Sequence, residues 1–220
     1  DFLYARTCQT LVEDGDADIL AAFAESIRAM AEGEVLQLTR SFDPEMSEST
    51  YLEVIGGKTS SLLAAASEAG AILGGVTRSE RRAVREYGWL LGLAFQLVDD
   101  ALDYSGSERD LGKAPLTDVA EGKLTLPLIA TLKRCSTGER DAISSLLKDF
   151  ALQSAAGRSP DRESVQRVAE CVERHRGVES TLARAQLLGS QARSQIEPFV
   201  DGEAKHAMLA LADFVVGRQS

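Results

Sequence analysis

Three aspartates stand at positions 99, 100 and 103, with Gln96 less than a turn before the first of them. On a helical wheel with Gln96 at zero and a step of about 100° per residue, Asp99, Asp100 and Asp103 fall at about −60°, +40° and −20°. The carboxylates therefore share a face with Gln96. Leu90, Leu91, Ala94, Phe95, Leu97, Val98, Ala101 and Leu102 cover almost every other direction, which predicts a helix buried in the protein rather than lying on its surface. Carboxylates crowded on a buried helix are costly, or hold their protons, unless cations compensate them. Oxygen ligands at i, i+1 and i+4 suit Mg²⁺, a hard cation that keeps several waters and bridges carboxylates to phosphate oxygens. The simpler alternative is an acidic helix end open to solvent. The apolar wheel argues against it, and so does the helix dipole, which disfavours negative charge near a C-terminus.

Basic residues flank the same segment. Lys58-Thr59 follows the pair Gly56-Gly57, Lys113 comes shortly after the carboxylates, and Lys123 opens Lys123-Leu124-Thr125-Leu126-Pro127. With 24 basic and 34 acidic residues the net charge is −10. Such a chain can hold an anionic substrate only where metal and lysines invert its field locally. A nucleic-acid partner is disfavoured, because no basic stripe offsets the charge.

The elements that must position these groups read as helices throughout. Apolar spacing and stop signals predict helices over 1–12, 17–39, from Ser47 or Thr50 to 73, then 79–104, 118–134, 138–152, 161–176, 179–196 and 203–216. Adjacent Gly56 and Gly57 inside the third predict a kink or a close backbone approach. The polar stretch 105–115, with two glycines, predicts a mobile loop. Aromatics are 5% of the chain and prolines number 5, usage that argues against a β-rich fold, while 44% hydrophobic residues suffice for a core. No apolar run approaches the ~18 to 20 residues needed to span a bilayer. Three widely spaced cysteines and the lack of a leader pattern predict free thiols and a cytoplasmic setting. Cys171 and His175 stand four apart and could supply half of a metal site, for which the sequence shows no second pair. No linker divides the chain, so residues 1–220 read as a single domain.

The run Gly92-Leu93-Ala94-Phe95-Gln96-Leu97-Val98-Asp99-Asp100-Ala101-Leu102-Asp103-Tyr104 resembles the second aspartate-rich motif of the trans-isoprenyl diphosphate synthases, the polyprenyl synthetases. The resemblance extends through Leu111-Gly112-Lys113, Asp118 and Glu121 to Pro127, and upstream through Asp1-Phe2-Leu3, Glu32 to Leu38 and Gly57-Lys58-Thr59. It implies an all-α fold, an isoprenoid-synthase-type bundle of helices around a central cavity, usually as a homodimer. It implies a Mg²⁺-dependent prenyltransferase that condenses isopentenyl diphosphate with an allylic prenyl diphosphate, lengthening the chain by five carbons. Carried over by motif, Asp99, Asp100 and Asp103 bind metal, Asp99 most directly. Lys58, Lys113 and Lys123 hold the allylic diphosphate, Thr59 and Gln96 line the site near the reacting carbons, and Gln37 is a further candidate for that wall. The family's first aspartate-rich motif and its Arg-Arg pair fall upstream of the position matching Asp1. The chain accordingly reads as a polyprenyl synthetase domain incomplete at its N-terminus and inactive alone. Product length is left open, since it depends on residues before that first motif. A non-catalytic helical subunit partnering an active synthase is the alternative. A terpene cyclase is disfavoured by the Gly-Lys-Thr and Lys-x-Thr-Leu-Pro elements.

Overall fold

The computed structural model describes residues 2–105 and 116–218, and every regular element among them is helical. In chain order these are α1 (Phe2–Asp14), α2 (Ala17–Thr39), α3 (Glu48–Ile55), a π-helical turn (Gly56–Ser60), α4 (Ser61–Leu73), α5 (Arg78–Ser105), α6 (Thr117–Ala120), α7 (Leu126–Leu132), α8 (Thr137–Ala155), α9 (Arg162–Arg174), α10 (Gly177–Ile196) and α11 (Glu203–Gly217). The all-α expectation holds. No helix among the described residues is long and apolar enough to cross a membrane.

Local chemistry starts and stops these helices. Asp16 accepts from the amides of Asp18 and Ile19 at the head of α2, and Ser47 accepts from the Thr50 amide at the head of α3. Each cap satisfies amides that have no partner inside the helix. Thr77 and Glu80 exchange side-chain and backbone hydrogen bonds at the head of α5. The predicted helix over 118–134 is two helices. Gly122 adopts φ +79° between α6 and α7, a left-handed turn that glycine makes without strain, and Pro127 then sits in the first turn of α7.

α5 runs through the middle, with α10 and α4 packed along it. Its Leu91, Ala94, Leu97, Val98 and Ala101 are at most 3% exposed, as the wheel predicts. They join Phe150, Leu147, Val168, Val172 and Ile196 in one continuous core. The helix predicted from Ser47 or Thr50 to 73 is realised as α3, the π turn and α4 end to end. Its glycines do what adjacent mid-helix glycines suggest. A Cβ on Gly57 would lie 2.7 Å from the Ala29 carbonyl oxygen, and one on Gly33 would lie 2.9 Å from the Lys58 amide nitrogen. Two glycines, one on each side, let α2 and the π turn touch backbone to backbone. At the other extreme α1 buries none of its residues, leaving Phe2, Leu3, Tyr4 and Val12 exposed.

Candidate active site

Five segments meet at one cleft of about 750 Å³ including its open mouth. The end of α2 supplies Gln37 and Arg40, α3 supplies Tyr51, and the π turn supplies Lys58 and Thr59. Gln96, Asp99 and Asp100 come from α5, and Asp118 and Lys123 from α6 and the turn after it. A π turn adds a residue to the helical repeat, which shifts the side chains around it on the helix face and often marks a functional site. Close packing sets the distances: a Cβ on Gly92 would lie 2.5 Å from Ser60 Cα, so α5 passes directly against the π turn. The Phe42 amide donates to the Gly122 carbonyl at 2.8 Å, tying the α2–α3 connection to the turn that carries Lys123.

A chain of hydrogen bonds crosses the cleft floor. Thr59 Oγ1 donates to Gln96 Oε1 at 3.0 Å, and Gln96 Nε2 donates to Asp100 Oδ1 at 2.8 Å. Tyr51 donates to Asp100 Oδ2 at 2.5 Å. Both donors to Asp100 are neutral, and the side chain is enclosed. Burial pushes its pKa up to about 7, with Asp118 and Asp99 adding to the rise and the two hydrogen bonds resisting it. Burial, with the Asp100 charge next, likewise raises the Tyr51 hydroxyl well above its ordinary value. Asp99 is half exposed at the mouth, its Oδ1 3.8 Å from the Arg218 guanidinium, which lies 4.4 Å above the Phe95 ring.

The two cleft lysines among the described residues face these carboxylates while held by partners of their own. Lys58 Nζ lies 2.7 Å from both Glu34 Oε2 and Gln37 Oε1. Lys123 Nζ lies 2.6 Å from Glu121 Oε2 and 3.3 Å from Asp118 Oδ1. Burial pulls the Lys123 pKa down, but Glu121 and Asp118 outweigh it and hold the ammonium above its ordinary value.

Of the residues singled out in the sequence, Gln37, Lys58, Thr59, Gln96, Asp99, Asp100 and Lys123 all line this cleft. Asp103 stands apart from it. It is 1% exposed, its Oδ2 accepts from the Asp118 amide at 3.1 Å, and its carbonyl accepts from the Leu116 amide. The wheel puts Asp103 on the Gln96 face but ignores axial distance. Seven residues at about 1.5 Å each carry it roughly 10 Å along α5, where α6 covers it. Lys113 and the predicted loop over 105–115 lie outside the described residues apart from the backbone of Ser105. Tyr51 and Arg40 were not singled out. Tyr51 lies two turns before Lys58 and Arg40 one turn after Gln37, and that helical spacing was the available signal.

The donor set suits a hard cation. Asp99 and Asp100 offer carboxylate oxygens, each Asp100 oxygen keeps a lone pair beyond its one hydrogen bond, and a buried carboxyl with a raised pKa gains most from a nearby positive charge.

The sequence model of the polyprenyl synthetase family matches residues 1–158. An octaprenyl diphosphate synthase from Haemophilus influenzae is 36% identical over 99% of this chain and 64% of its own. A short chain isoprenyl diphosphate synthase from Methanothermobacter thermautotrophicus is 33% identical over 100% of this chain and 66% of its own. Among solved structures, a polyprenyl synthase from Caulobacter crescentus, complexed with calcium and isoprenyl diphosphate, superposes with a TM-score of 0.90 at 39% identity, covering 100% of this chain and 65% of that one. The chain thus spans just under two thirds of the length of these relatives.

Proposed function

Since this chain belongs to the polyprenyl synthetase family, we propose that its cleft serves the Mg²⁺-dependent condensation of isopentenyl diphosphate with an allylic prenyl diphosphate. One observation carries the reading: Lys58 and Lys123 face Asp99 and Asp100 across a single cleft. Cations alone would suit any anion, and carboxylates alone any metal. Together they suit a diphosphate that arrives with a divalent ion.

In this reading Asp99 and Asp100 hold Mg²⁺, Asp99 most directly, while Asp103, set back under α6, holds the Asp118 amide beside the cleft. Bound there, the ion would stabilise charge developing on the leaving diphosphate. Lys58 would exchange Glu34 and Gln37 for diphosphate oxygens, and Lys123 would exchange Glu121 and Asp118. Each swap keeps a charge-assisted hydrogen bond while bringing the substrate's negative charge to the metal side of the cleft. Lys113 is proposed for the same diphosphate. Thr59 and Gln96 orient the floor: the Thr59 hydroxyl fixes the Gln96 amide, which in turn fixes Asp100. Their oxygens lie near where the allylic carbon becomes positive as it leaves the diphosphate and is attacked by the isopentenyl double bond. Val54, Ile55 and Leu124 supply an apolar wall that limits water.

The calcium and isoprenyl diphosphate in the Caulobacter relative's crystals support a metal–diphosphate cleft here. Exposed Phe2, Leu3 and Tyr4 on α1, with Val35 and Leu38 on α2, support a homodimer. The continuous core supports one polyprenyl synthetase domain, and three free cysteines are in keeping with a cytoplasmic setting. The test is incubation of the intact gene product with labelled isopentenyl diphosphate, an allylic diphosphate and Mg²⁺. Elongated prenyl diphosphate is expected. A cyclic hydrocarbon, or turnover only after an active synthase is added, would overturn the proposal.

A further inference from the structure

Away from the cleft, Glu139, Cys171 and His175 bring a carboxylate oxygen, a thiol and an imidazole nitrogen within 4.8 Å of one another. Cys171 and His175 lie one turn apart at the end of α9, and Glu139 stands in the first turn of α8. None of the three lines the cleft described above. Cys171 is 5% exposed, and a groove lined by Ala142, Ile143 and Leu146 runs beside it. A second thiol, Cys135, precedes Glu139 by four residues. The sequence shows one i, i+4 pair, Cys171/His175; helix packing brings Glu139 to it, while Cys135 lies in the bend before α8 and outside the cluster. Burial, and then the neighbouring Cys135, raise the Cys171 thiol above its ordinary pKa.

We propose that Glu139, Cys171 and His175 form a zinc site pinning the start of α8 to the end of α9, its fourth position taken by solvent. The donor chemistry favours zinc over the hard cation of the cleft, since thiolate and imidazole suit Zn²⁺ and not Mg²⁺. Metal–ligand lengths of about 2.0 to 2.3 Å in a tetrahedron put ligand atoms about 3.3 to 3.7 Å apart. His175 Nε2 and Glu139 Oε2 already lie 3.2 Å apart, so a metal ion could replace their shared hydrogen with little movement. The remaining separations, at most 4.8 Å, close by about 1 Å through rotation of Cys171. The carboxylate is held in place from behind: Oε2 accepts from the Ser136 amide and hydroxyl, and Oε1 from Arg174. The Ser136 hydroxyl can rotate away to free a lone pair of Oε2 for the ion, while the Ser136 amide and Arg174 keep the carboxylate in place.

The protein, stripped of metal and returned to excess Mg²⁺ to fill hard oxygen sites, would be titrated with Co²⁺ as an optical probe and then with Zn²⁺. A near-ultraviolet thiolate-to-cobalt charge-transfer band saturating at one equivalent is expected, lost on adding Zn²⁺, with a Zn²⁺-dependent rise in melting temperature. Cys171→Ser should abolish the band. His175→Gln, a partly exposed position that leaves the helix intact, should weaken Zn²⁺ binding at least tenfold. No saturable band, an undiminished band in Cys171→Ser, or unchanged Zn²⁺ affinity in His175→Gln would overturn the proposal.

Discussion

Replacing Asp100 by Asn separates the cost of burying this carboxyl from its use. Its pKa is raised from 3.8 to about 7. A rise of ~3 units at 1.36 kcal/mol each is about 4 kcal/mol of preference for the protonated form in the metal-free protein. The folded-state pKa lies above the unfolded one. The associated stability is therefore complete below pH 3.8, declines as pH climbs towards 7, and is gone above it. Asn cannot ionise and should not show this decline. Tyr51 can turn its hydroxyl to accept from the new amide, so the variant should fold. At about 2–4 °C per kcal/mol for a chain of this size, metal-free Asp100→Asn should melt at most ~16 °C above the parent at pH 8.5. Near pH 5, where both carry a neutral group, the two should melt within a few degrees of each other. Added Mg²⁺ should narrow the gap at pH 8.5 by stabilising the parent more than the variant, which keeps Asp99 but loses the second carboxylate. Scanning calorimetry across pH in EDTA and in Mg²⁺ measures this. Parallel melting curves for the two proteins across pH would refute the reasoning.

Asp99→Ala in the intact gene product should keep the helical far-ultraviolet circular dichroism yet cut Mg²⁺-dependent turnover by orders of magnitude, because the lost contact acts mainly in the transition state. Unchanged kinetics would remove Asp99 from the metal site. Gly57→Ala sets a Cβ 2.7 Å from the Ala29 carbonyl oxygen, so urea denaturation should show a loss of about 1–3 kcal/mol, with weaker diphosphate binding as Lys58 and Thr59 shift. Phe150→Ala empties a fully buried site and should cost about 3–5 kcal/mol in the same assay, with no effect on the cleft's affinity relative to folded protein.

Where the sequence was readable, local chemistry decided the outcome. α2 begins and ends where periodicity places it, and the structure shows Asp16 capping its head. The buried wheel of α5 was equally legible, because eight apolar residues around one axis admit few other arrangements. The break between α6 and α7 was not. Gly122 was one glycine in an otherwise helical pattern, and its left-handed turn is bound by Phe42, a residue 80 positions away. The site followed the same division. Lys58, Thr59, Gln96, Asp99, Asp100 and Lys123 carried motif and spacing, and they line one cleft. Tyr51 became visible only when α3 was packed against α5, and Asp103 receded only when α6 was seen to cover it. The second half of the thiol–imidazole cluster was hidden for the same reason, since Glu139 and Cys171 are 32 residues apart and meet through helix packing.

The most direct test of the metal–diphosphate cleft is calorimetric titration of an allylic diphosphate into the protein, with Mg²⁺ and with EDTA, for the parent and for Lys58→Ala/Lys123→Ala. Each lysine lost should remove a charged hydrogen bond of about 1.5–3 kcal/mol. Binding should therefore require Mg²⁺ and weaken at least ~100-fold in the double variant. Equal affinity in EDTA, or a double variant that binds as tightly as the parent, would contradict it.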